Sequence, residues 1–504
     1  MKSLIIVSQL YLFGTVCSLD QDIKELFQNK IRRYSNFSCD LAWTPEQGHH
    51  LVAIADIEKD QWLLKVPSKY AFHAWNEFPG KSYLREAAIK ANISIPQNLV
   101  LALRIKSAFD SSETHFDTKD DQHFIRSVLQ YYSELQLDDM PLWTQEDMVY
   151  YAENAAGQAL DRGKKDRQEK YEQLMEGIKL VEDAEQFAKA ISNFTEINFW
   201  WSVVSTRNHQ VFNHELQQIL SISDNEMNSL RKNNNFMSGN GMVNLLIPLI
   251  DLPNHHQPRN TNLTDFTKFT LHLSNTSVGV STSTPIIKSD SQITYTYNPK
   301  YLDPFSLLNH YGFTSDNNPF ATMLLTTPNY LAKIFNPNEK QMCTLINCAQ
   351  NLKSNDQLTT YLLKREAIPQ TDLMNIYRIK FVSKARDMDN EMLGYSIGRL
   401  QLKDRLNKEN MFSVGNEIMS VMRYAQLIKD SLTLYPSVKE HKGKIKAIGE
   451  NQGWRDHSGS RRKVLTHELS INRLQVLQVH FLYSLERGID LIHQDLLQVI
   501  PQSK

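Results

Sequence analysis

The chain has few cysteines, almost no net charge and no long apolar run, and each shortage excludes a class of protein. Four cysteines in 504 residues are too few for a disulfide scaffold. The 55 basic and 56 acidic side chains nearly cancel, so no global electric field would draw the chain to nucleic acid. Beyond the amino terminus, no segment approaches the roughly 18 consecutive apolar residues of a membrane span. A globular protein of two or three domains remains, and we expect a monomer.

The amino terminus has the pattern of a secretory signal peptide. Lys2 precedes a mostly apolar run at residues 4–16, and small residues follow up to Ser18. Cleavage of residues 1–18 would send the mature chain into the secretory pathway or out of the cell. A buried first helix or an organellar presequence is the alternative, and it would leave the protein in the cytoplasm or an organelle. Cleavage would also leave an odd number of cysteines, two of them poorly spaced for zinc, so we expect no metal site.

Hydrophobic patterning divides the rest of the chain into a mixed part and a helical part. Residues 51–67 have the pattern of two short strands joined by a polar turn. From about residue 96 to residue 235, apolar residues recur at helical spacing. Strand-like segments follow, and beyond Pro319 helical patterns dominate. This order of elements indicates an α+β protein.

Three segments in the middle of the chain form an ordered set. Residues 246–255 are an apolar run that leads to Asp251 and ends in Asn254 and His255. Residues 293–297 read Ile-Thr-Tyr-Thr-Tyr, with tyrosine at alternate positions, and residues 307–313 end in Tyr-Gly-Phe. The set resembles the second half of a SET domain, the fold of many protein-lysine methyltransferases. It is most similar to the subgroup typified by plant Rubisco large-subunit lysine methyltransferase.

The resemblance implies a domain organisation and a function. It implies a β-rich SET domain at residues 30–318 with a helical insertion at about residues 96–235, and an all-α substrate-binding domain at residues 319–504. The activity would be methyl transfer from S-adenosylmethionine to a side-chain nitrogen of a protein substrate. Lysine is the expected target, and histidine stays open because the subgroup includes histidine methylation.

Methyl transfer to an amine sets the chemical requirements of such a site. The protein must hold sulfur, methyl group and nitrogen in line, and it must accept the amine in its neutral form. A lysine with a pKa near 10.4 is only about 0.04% neutral at pH 7, so an apolar channel lined by aromatic side chains is favourable. The tyrosines and the phenylalanine of the second and third segments are suitable for such a channel.

The resemblance also assigns roles to individual residues. Tyr311 would be the catalytic residue, with its hydroxyl group beside the transferred methyl group. Arg207 would pair with the donor carboxylate. The full set expected to bind the donor is Gln47, Gly48, His49, Arg207, Asn254 and His255. The residues expected to contact the substrate are Asp251, Tyr297 and Phe313. Tyr297 could equally be core packing, and Asp251 could equally be a structural hydrogen-bonding residue.

The chain departs from the family pattern around the expected donor site. His50 replaces the second glycine of a Gly-x-Gly loop, and Asp60 replaces a turn glycine. Asn298 follows the strand tyrosine where glycine or aspartate is usual, and Pro304 lies near an expected asparagine. These departures leave a second hypothesis open, a SET-fold protein-binding module that has lost methyl transfer.

Overall fold

The structure is a computed structural model that describes most residues up to 314 and shorter pieces beyond. The described residues are 21–44, 48–74, 80–110, 118–135, 137, 142, 155–212, 242–255, 269–274, 276–282, 286–297, 303–314, 322–326, 360–364, 414–432, 437–450, 476, 479, 486, 489, 490 and 494. The signal peptide predicted at residues 1–18, Gln47 and Asn298 lie outside them, and what was predicted of them stays a prediction.

The α-helices of the described residues lie mainly between residues 81 and 207 and again beyond residue 414. They are α1 Gln21–Tyr34, α2 Lys81–Lys90, α3 Gln97–Asp110, α4 Lys119–Ser133, α5 Ala155–Ile178, α6 Glu185–Ala190, α7 Phe194–Arg207, α8 Pro304–Tyr311, α9 Val414–Leu432 and α10 Val438–Glu450. A short 3₁₀ helix spans Ser68–Tyr70. In this described part of the chain, no helix is long and apolar enough to cross a membrane.

The strands are short and form several small sheets. They are β1 Cys39–Thr44, β2 Gly48–Ala53, β3 Ile57–Glu58, β4 Trp62–Pro67, β5 Phe72–His73, β6 His209–Phe212, β7 Met242–Leu246, β8 Asn254–His255, β9 Phe269–Leu273, β10 Ser277–Thr282, β11 Ile286–Ile287, β12 Thr294–Tyr295, β13 Thr322–Thr326 and β14 Thr360–Lys364.

Strand pairing places distant segments of the chain side by side. β1 and β2 form an antiparallel hairpin. β10 lies between β4 and β9, β7 lies between β5 and β6, and β3 pairs with β11. β8 runs parallel to β12, with Asn254 opposite Thr294 and His255 opposite Tyr295. This last pair joins two of the three motif segments in register.

Polar caps begin the two helices that lead to the candidate site. The side chain of Thr118 accepts a hydrogen bond from the backbone N–H of Asp121 at the start of α4. The side chain of Asn193 accepts one from Glu196 at the start of α7. Each cap satisfies a backbone donor that the first helical turn leaves free, and such a cap stabilises a helix by about 1 kcal/mol.

The hydrophobic core lies where the insertion helices meet the sheets. α3 packs against α7, α2 packs against α5, and α1 packs against β1 and β4. The large side chains buried there include Phe27, Leu99, Phe124, Trp200 and Leu245. Burial of one such side chain contributes about 1.5–3 kcal/mol. This packing holds the last turn of α4 and the last turn of α7, where two parts of the candidate site are found.

The α+β class is confirmed, and one part of the prediction is wrong. Helices α3 to α7 occupy the region of the expected insertion, and β6 at His209–Phe212 then pairs with β7. The region beyond residue 319 was expected to be all-α, but β13 and β14 pair antiparallel there. β13 also contacts α5 and α8. Short apolar runs such as Met323–Leu325 fit either a strand or a helix, so the sequence pattern alone does not distinguish the two.

Candidate active site

Four aromatic rings from the three motif segments meet in one cluster. The Tyr297 ring lies 4.7 Å from the Tyr311 ring, 5.1 Å from the His255 ring and 6.4 Å from the Phe313 ring, measured between centroids. The His255 and Phe313 rings are 5.4 Å apart. Tyr295 extends the cluster at 5.1 Å from Tyr297. We call His255, Tyr295, Tyr297, Tyr311 and Phe313 the aromatic cluster.

The parallel pairing of β8 with β12 determines where Tyr297 lies. The backbone N–H of Tyr297 donates a hydrogen bond to Nδ1 of His255 at 3.1 Å. Since Nδ1 accepts, a neutral His255 carries its proton on Nε2. The hydroxyl group of Tyr297 donates to the backbone oxygen of Pro253 at 3.4 Å. The His255 side chain therefore fixes the backbone that presents Tyr297.

Helix α8 presents Tyr311 and turns Phe313 into the core. The side chain of Asp303 caps the helix by accepting from the backbone N–H of Ser306 at 2.9 Å. Pro304 occupies the first helical turn, where its missing N–H costs no hydrogen bond. Gly312 ends the helix with a φ of 79°, a left-handed conformation that favours glycine. The Pro304 departure is thus compatible with the fold, and Gly312 allows the sharp turn to the buried Phe313.

A buried ion pair joins the end of α7 to the turn before β8. Nη1 of Arg207 donates to Oδ2 of Asp251 at 3.0 Å and to the Asp251 backbone oxygen at 3.4 Å. The Asp251 side chain is 1% exposed and the Arg207 side chain is 20% exposed. Burial alone would lower the pKa of Arg207, but Tyr131 and Asp251 beside it raise the pKa above its usual value. The guanidinium group therefore stays charged.

Two consecutive tyrosines of α4 lie against the same guanidinium group. Cζ of Arg207 is 5.7 Å from the ring centroid of Tyr131 and 6.0 Å from that of Tyr132, within the range of cation–π attraction. Burial raises the pKa of Tyr132, and the Asp251 carboxylate raises it further. Both tyrosines are buried and therefore neutral at physiological pH.

The ion pair and the aromatic cluster belong to one site. Burial raises the pKa of Tyr297 to about 12, while the charge of Arg207 opposes this rise and that of Asp251 adds to it. Tyr295 also has a raised pKa, chiefly from burial, with contributions from Tyr297 and Tyr311. The Tyr297 hydroxyl group also donates to the backbone oxygen of Pro253, two residues after Asp251, so the charged pair and the tyrosines are neighbours.

The strand after the expected donor loop contributes His49. Its ring meets the Tyr131 ring edge to face, with centroids 6.0 Å apart. Successive side chains of a strand point to opposite faces, so His50 points away from Tyr131. His50 is buried opposite Ala42, and its φ is not positive. The strand does not need a glycine there for conformational reasons.

The turn at Asp60 explains why the family has glycine at that position. Asp60 has a φ of 65°, in the left-handed region that glycine adopts without strain. Its backbone N–H donates to the backbone oxygen of Thr282 at 2.8 Å. Aspartate is among the residues that tolerate this conformation best, so the turn is kept with a different residue.

The structure brings most of the predicted site residues together. The contacts above link seven of them, namely His49, Arg207, Asp251, His255, Tyr297, Tyr311 and Phe313. Gly48 precedes His49 at the start of β2, and Asn254 lies beside Thr294 in β8. Arg207 is expected to bind the donor, and Asp251 is expected to be either a substrate contact or a structural hydrogen-bonding residue. The two side chains form a pair with each other, and their roles toward donor and substrate stay predictions.

Sequence reasoning missed the contributions of Tyr131, Tyr132 and His209. His209 follows the end of α7, and its ring stacks on Tyr295 with centroids 6.3 Å apart and planes 24° apart. Burial lowers the pKa of His209, so its ring is neutral. The only signal in the sequence was two adjacent tyrosines on an amphipathic helix, and that pattern is typical of core packing.

Two buried polar atoms at this site lack a hydrogen-bond partner among the described residues. They are Nε of Arg207 and Nε2 of His209. Buried polar groups are normally paired, so a cluster of unpaired ones is suited to a polar ligand. Within the same described residues, no three His, Cys, Asp or Glu side chains are grouped as a metal site would require. The unpaired Nε–H of Arg207 is a hydrogen-bond donor, so the site fits a ligand that carries an anionic or accepting group.

Comparison with known proteins identifies the fold. No protein-family model and no curated protein matches the chain. A solved structure described as the SET domain of LSMT bound to lysine and AdoHcy matches with a TM-score of 0.61 and 14% identity, covering 96% of this chain and 94% of that one. Rubisco LSMT bound to AdoMet matches with a TM-score of 0.57 and 13% identity, covering 94% and 93%. Rubisco LSMT bound to sinefungin and monomethyllysine matches with a TM-score of 0.56 and 11% identity, covering 95% and 94%.

These similarities show the class of fold. The chain has a SET-domain fold, and the α+β architecture expected from its three motif segments is the one observed. More specifically, it has the SET-domain architecture of the Rubisco LSMT structures, which match it over nearly the whole of its length. The expected resemblance is confirmed at the level of the fold.

Proposed function

We propose that the chain is an S-adenosylmethionine-dependent protein methyltransferase that modifies a side-chain nitrogen, with lysine as the target. The observation that carries the proposal is the aromatic cluster next to the buried Arg207–Asp251 pair. The cluster offers apolar ring faces for an alkylamine, and the pair offers buried charges for the amino-acid end of a donor. The SET-domain structures that match this chain include complexes with AdoMet, AdoHcy and lysine.

S-adenosylmethionine would supply an electrophilic methyl group carried on a sulfonium ion. Arg207 would hold its carboxylate, because Nε is buried and lacks a partner among the described residues. The remaining donor contacts would come from residues 47–49 and from the Asn254-His255 pair. The His255 ring also holds the Tyr297 backbone, so donor binding and the aromatic cluster would be coupled through one side chain.

The aromatic cluster would act on the acceptor nitrogen. Burial makes the neutral amine easier to form, because a charged ammonium group loses its hydration there. The rings of Tyr297 and Phe313 would flank the alkyl chain and exclude water. The hydroxyl group of Tyr311 would orient the nitrogen and the methyl group in line, and such alignment of bound reactants contributes strongly to rate. The protein substrate would dock on the region beyond residue 319.

The second candidate function is a SET-fold binding module without methyl transfer. It is favoured by His50, a buried histidine at a position where the family has glycine. Two measurements separate the candidates. Calorimetry with S-adenosylmethionine tests donor binding, and transfer of a tritiated methyl group to free L-lysine, or to peptides with one lysine or one histidine, tests catalysis.

The enzyme proposal expects donor binding and methyl transfer to the lysine acceptor. Arg207→Met should lose donor binding, because the carboxylate would lose its charged partner. Arg126→Met is the matched control, since Arg126 is an exposed arginine of α4, and it should bind the donor normally. Donor binding with no transfer to any acceptor would favour the binding module, and transfer only to the histidine peptide would change the target residue.

A further inference from the structure

Tyr131 of helix α4 occupies a central position between the expected donor loop and Arg207. Its ring meets the His49 ring at 6.0 Å with planes 83° apart, and the Arg207 guanidinium carbon lies 5.7 Å from its centroid. Phe27 packs on it edge to face at 5.6 Å, and Tyr132 adjoins it at 5.8 Å. The ring is therefore enclosed by side chains from α1, β2, α4 and α7.

This arrangement restricts how Arg207 can lie. An arginine side chain has many rotamers, and fixing it in one of them normally costs conformational entropy. Asp251 holds Nη1 of the guanidinium group on one side, and the ring faces of Tyr131 and Tyr132 lie against the group. With the plane held in this way, the unpaired Nε is presented in a constant direction.

We propose that Tyr131 is a positioning residue that presents Arg207 to the carboxylate of the methyl donor. The helical insertion would then form part of the donor pocket as well as the core. The inference rests on the proposed function, because it concerns the same donor. Tyr131 would act through Arg207, so its effect should be confined to ligands that carry the amino-acid end.

Two nucleosides provide the selective measurement on the full mature chain. S-adenosylhomocysteine carries the amino-acid end, whereas 5′-methylthioadenosine lacks it. Buried cation–π contacts are worth about 2 kcal/mol, so Tyr131→Leu should weaken S-adenosylhomocysteine binding by roughly 10- to 30-fold. The affinity for 5′-methylthioadenosine should change less than about twofold. Tyr131→Phe retains the ring face and should remain within about threefold of the wild type for both ligands.

Phe124→Leu is the matched control for lost packing. Phe124 is a fully buried ring on the same helix, and it packs on Phe27 and Tyr70, whereas the rings against Arg207 are those of Tyr131 and Tyr132. Phe124→Leu should lower the melting temperature and leave the ratio of the affinities for S-adenosylhomocysteine and 5′-methylthioadenosine unchanged. If Tyr131→Leu fails to fold, Tyr131→Met, which is unbranched and adapts to irregular space, carries the same expectation.

The outcomes separate this inference from the proposed function. Equal weakening of both ligands by Tyr131→Leu would overturn the inference, because the ring would then only support the fold. Unchanged binding of S-adenosylhomocysteine by that variant would overturn it as well. A wild-type chain that binds neither nucleoside would overturn the proposed function together with the inference. Selective loss of S-adenosylhomocysteine with rescue by Tyr131→Phe would support both.

Discussion

The Arg207–Asp251 pair gives the strongest prediction about stability. Asp251→Ala removes a carboxylate that is 1% exposed and leaves the Arg207 guanidinium group without its charged partner. Breaking a buried ion pair from one side costs about 3–5 kcal/mol. Arg207 keeps 20% exposure and both tyrosine faces, so we expect the lower end of this range, about 3 kcal/mol.

The magnitude can be tested with a double-mutant cycle. Asp251→Leu and Arg207→Met should each destabilise the chain, while the double variant should lie close to the wild type because two apolar side chains can pack where the pair was. A loss of about 3 kcal/mol in the free energy of unfolding corresponds to a fall of about 6 °C in melting temperature for a domain of this size. Differential scanning calorimetry on the four chains measures the coupling directly. Asp251→Asn should cost less than Asp251→Ala, because its amide oxygen can still accept from Nη1.

Additive effects would refute this reasoning. If the double variant loses the sum of the two single losses, the residues are not energetically coupled, and the pair is only a geometric contact. A single Asp251→Ala variant with an unchanged melting temperature would refute the estimate of the desolvation cost. Either result would also weaken the case that Arg207 is held ready for a donor.

Three further predictions follow from named contacts. Tyr311→Phe should lower the methyl-transfer rate roughly 30- to 1000-fold, equivalent to about 2–4 kcal/mol, with the donor Kd nearly unchanged, as single-turnover kinetics and calorimetry would measure. Asp121→Asn should lower the free energy of unfolding by about 1–2 kcal/mol at pH 7. Burial alone would raise the pKa of Asp121, but hydrogen bonds from Lys69, Tyr70 and Thr118 lower it from 3.8 to about 2. The stabilisation is therefore present above pH 3.8 and is lost as the pH falls toward 2. Thermal melts at pH 7 and pH 2 would test it, with Asp161→Asn, at a side chain that is 42% exposed, as the control. Gly312→Ala should destabilise by about 1 kcal/mol because its φ is 79°, whereas Gly163→Ala, in a helix with open space around it, should stabilise by about 0.5–1 kcal/mol.

The motif segments could be predicted because local chemistry and spacing determine much of their structure. Asn254 and His255 follow an apolar run, and the alternating tyrosines favour a strand, so their meeting in a parallel pair agrees with the pattern. Tyr311-Gly312-Phe313 also has a local cause, since a glycine after the last helical residue ends the helix. These features need only short stretches of sequence to be recognised.

The partners across the site could not be predicted in the same way. Arg207 and Asp251 are 44 residues apart in the chain, and nothing in either segment indicates that their side chains meet. Tyr131 lies on a helix whose buried face is ordinary core, so its contact with Arg207 depends entirely on tertiary packing. The strand pair β13 and β14 was missed for a related reason, because a run of three or four apolar residues has no distinctive period.

The turn before Asp251 also links the stability of the fold to the candidate site. Leu249 has a φ of 72°, a left-handed conformation that costs a branched, non-glycine residue about 1–3 kcal/mol. The same Leu249 is 2% exposed, and burial of a leucine contributes about 1.5–3 kcal/mol, enough to offset the strain. The turn that this packing maintains presents the Asp251 carboxylate to Arg207 and directs Asn254 and His255 into β8. A residue that relieved the strain, such as glycine, would also remove the packing that holds the turn. The buried Leu249 therefore holds, at the cost of backbone strain, the turn from which Asp251 reaches Arg207, so the geometry of the ion pair depends on this packing.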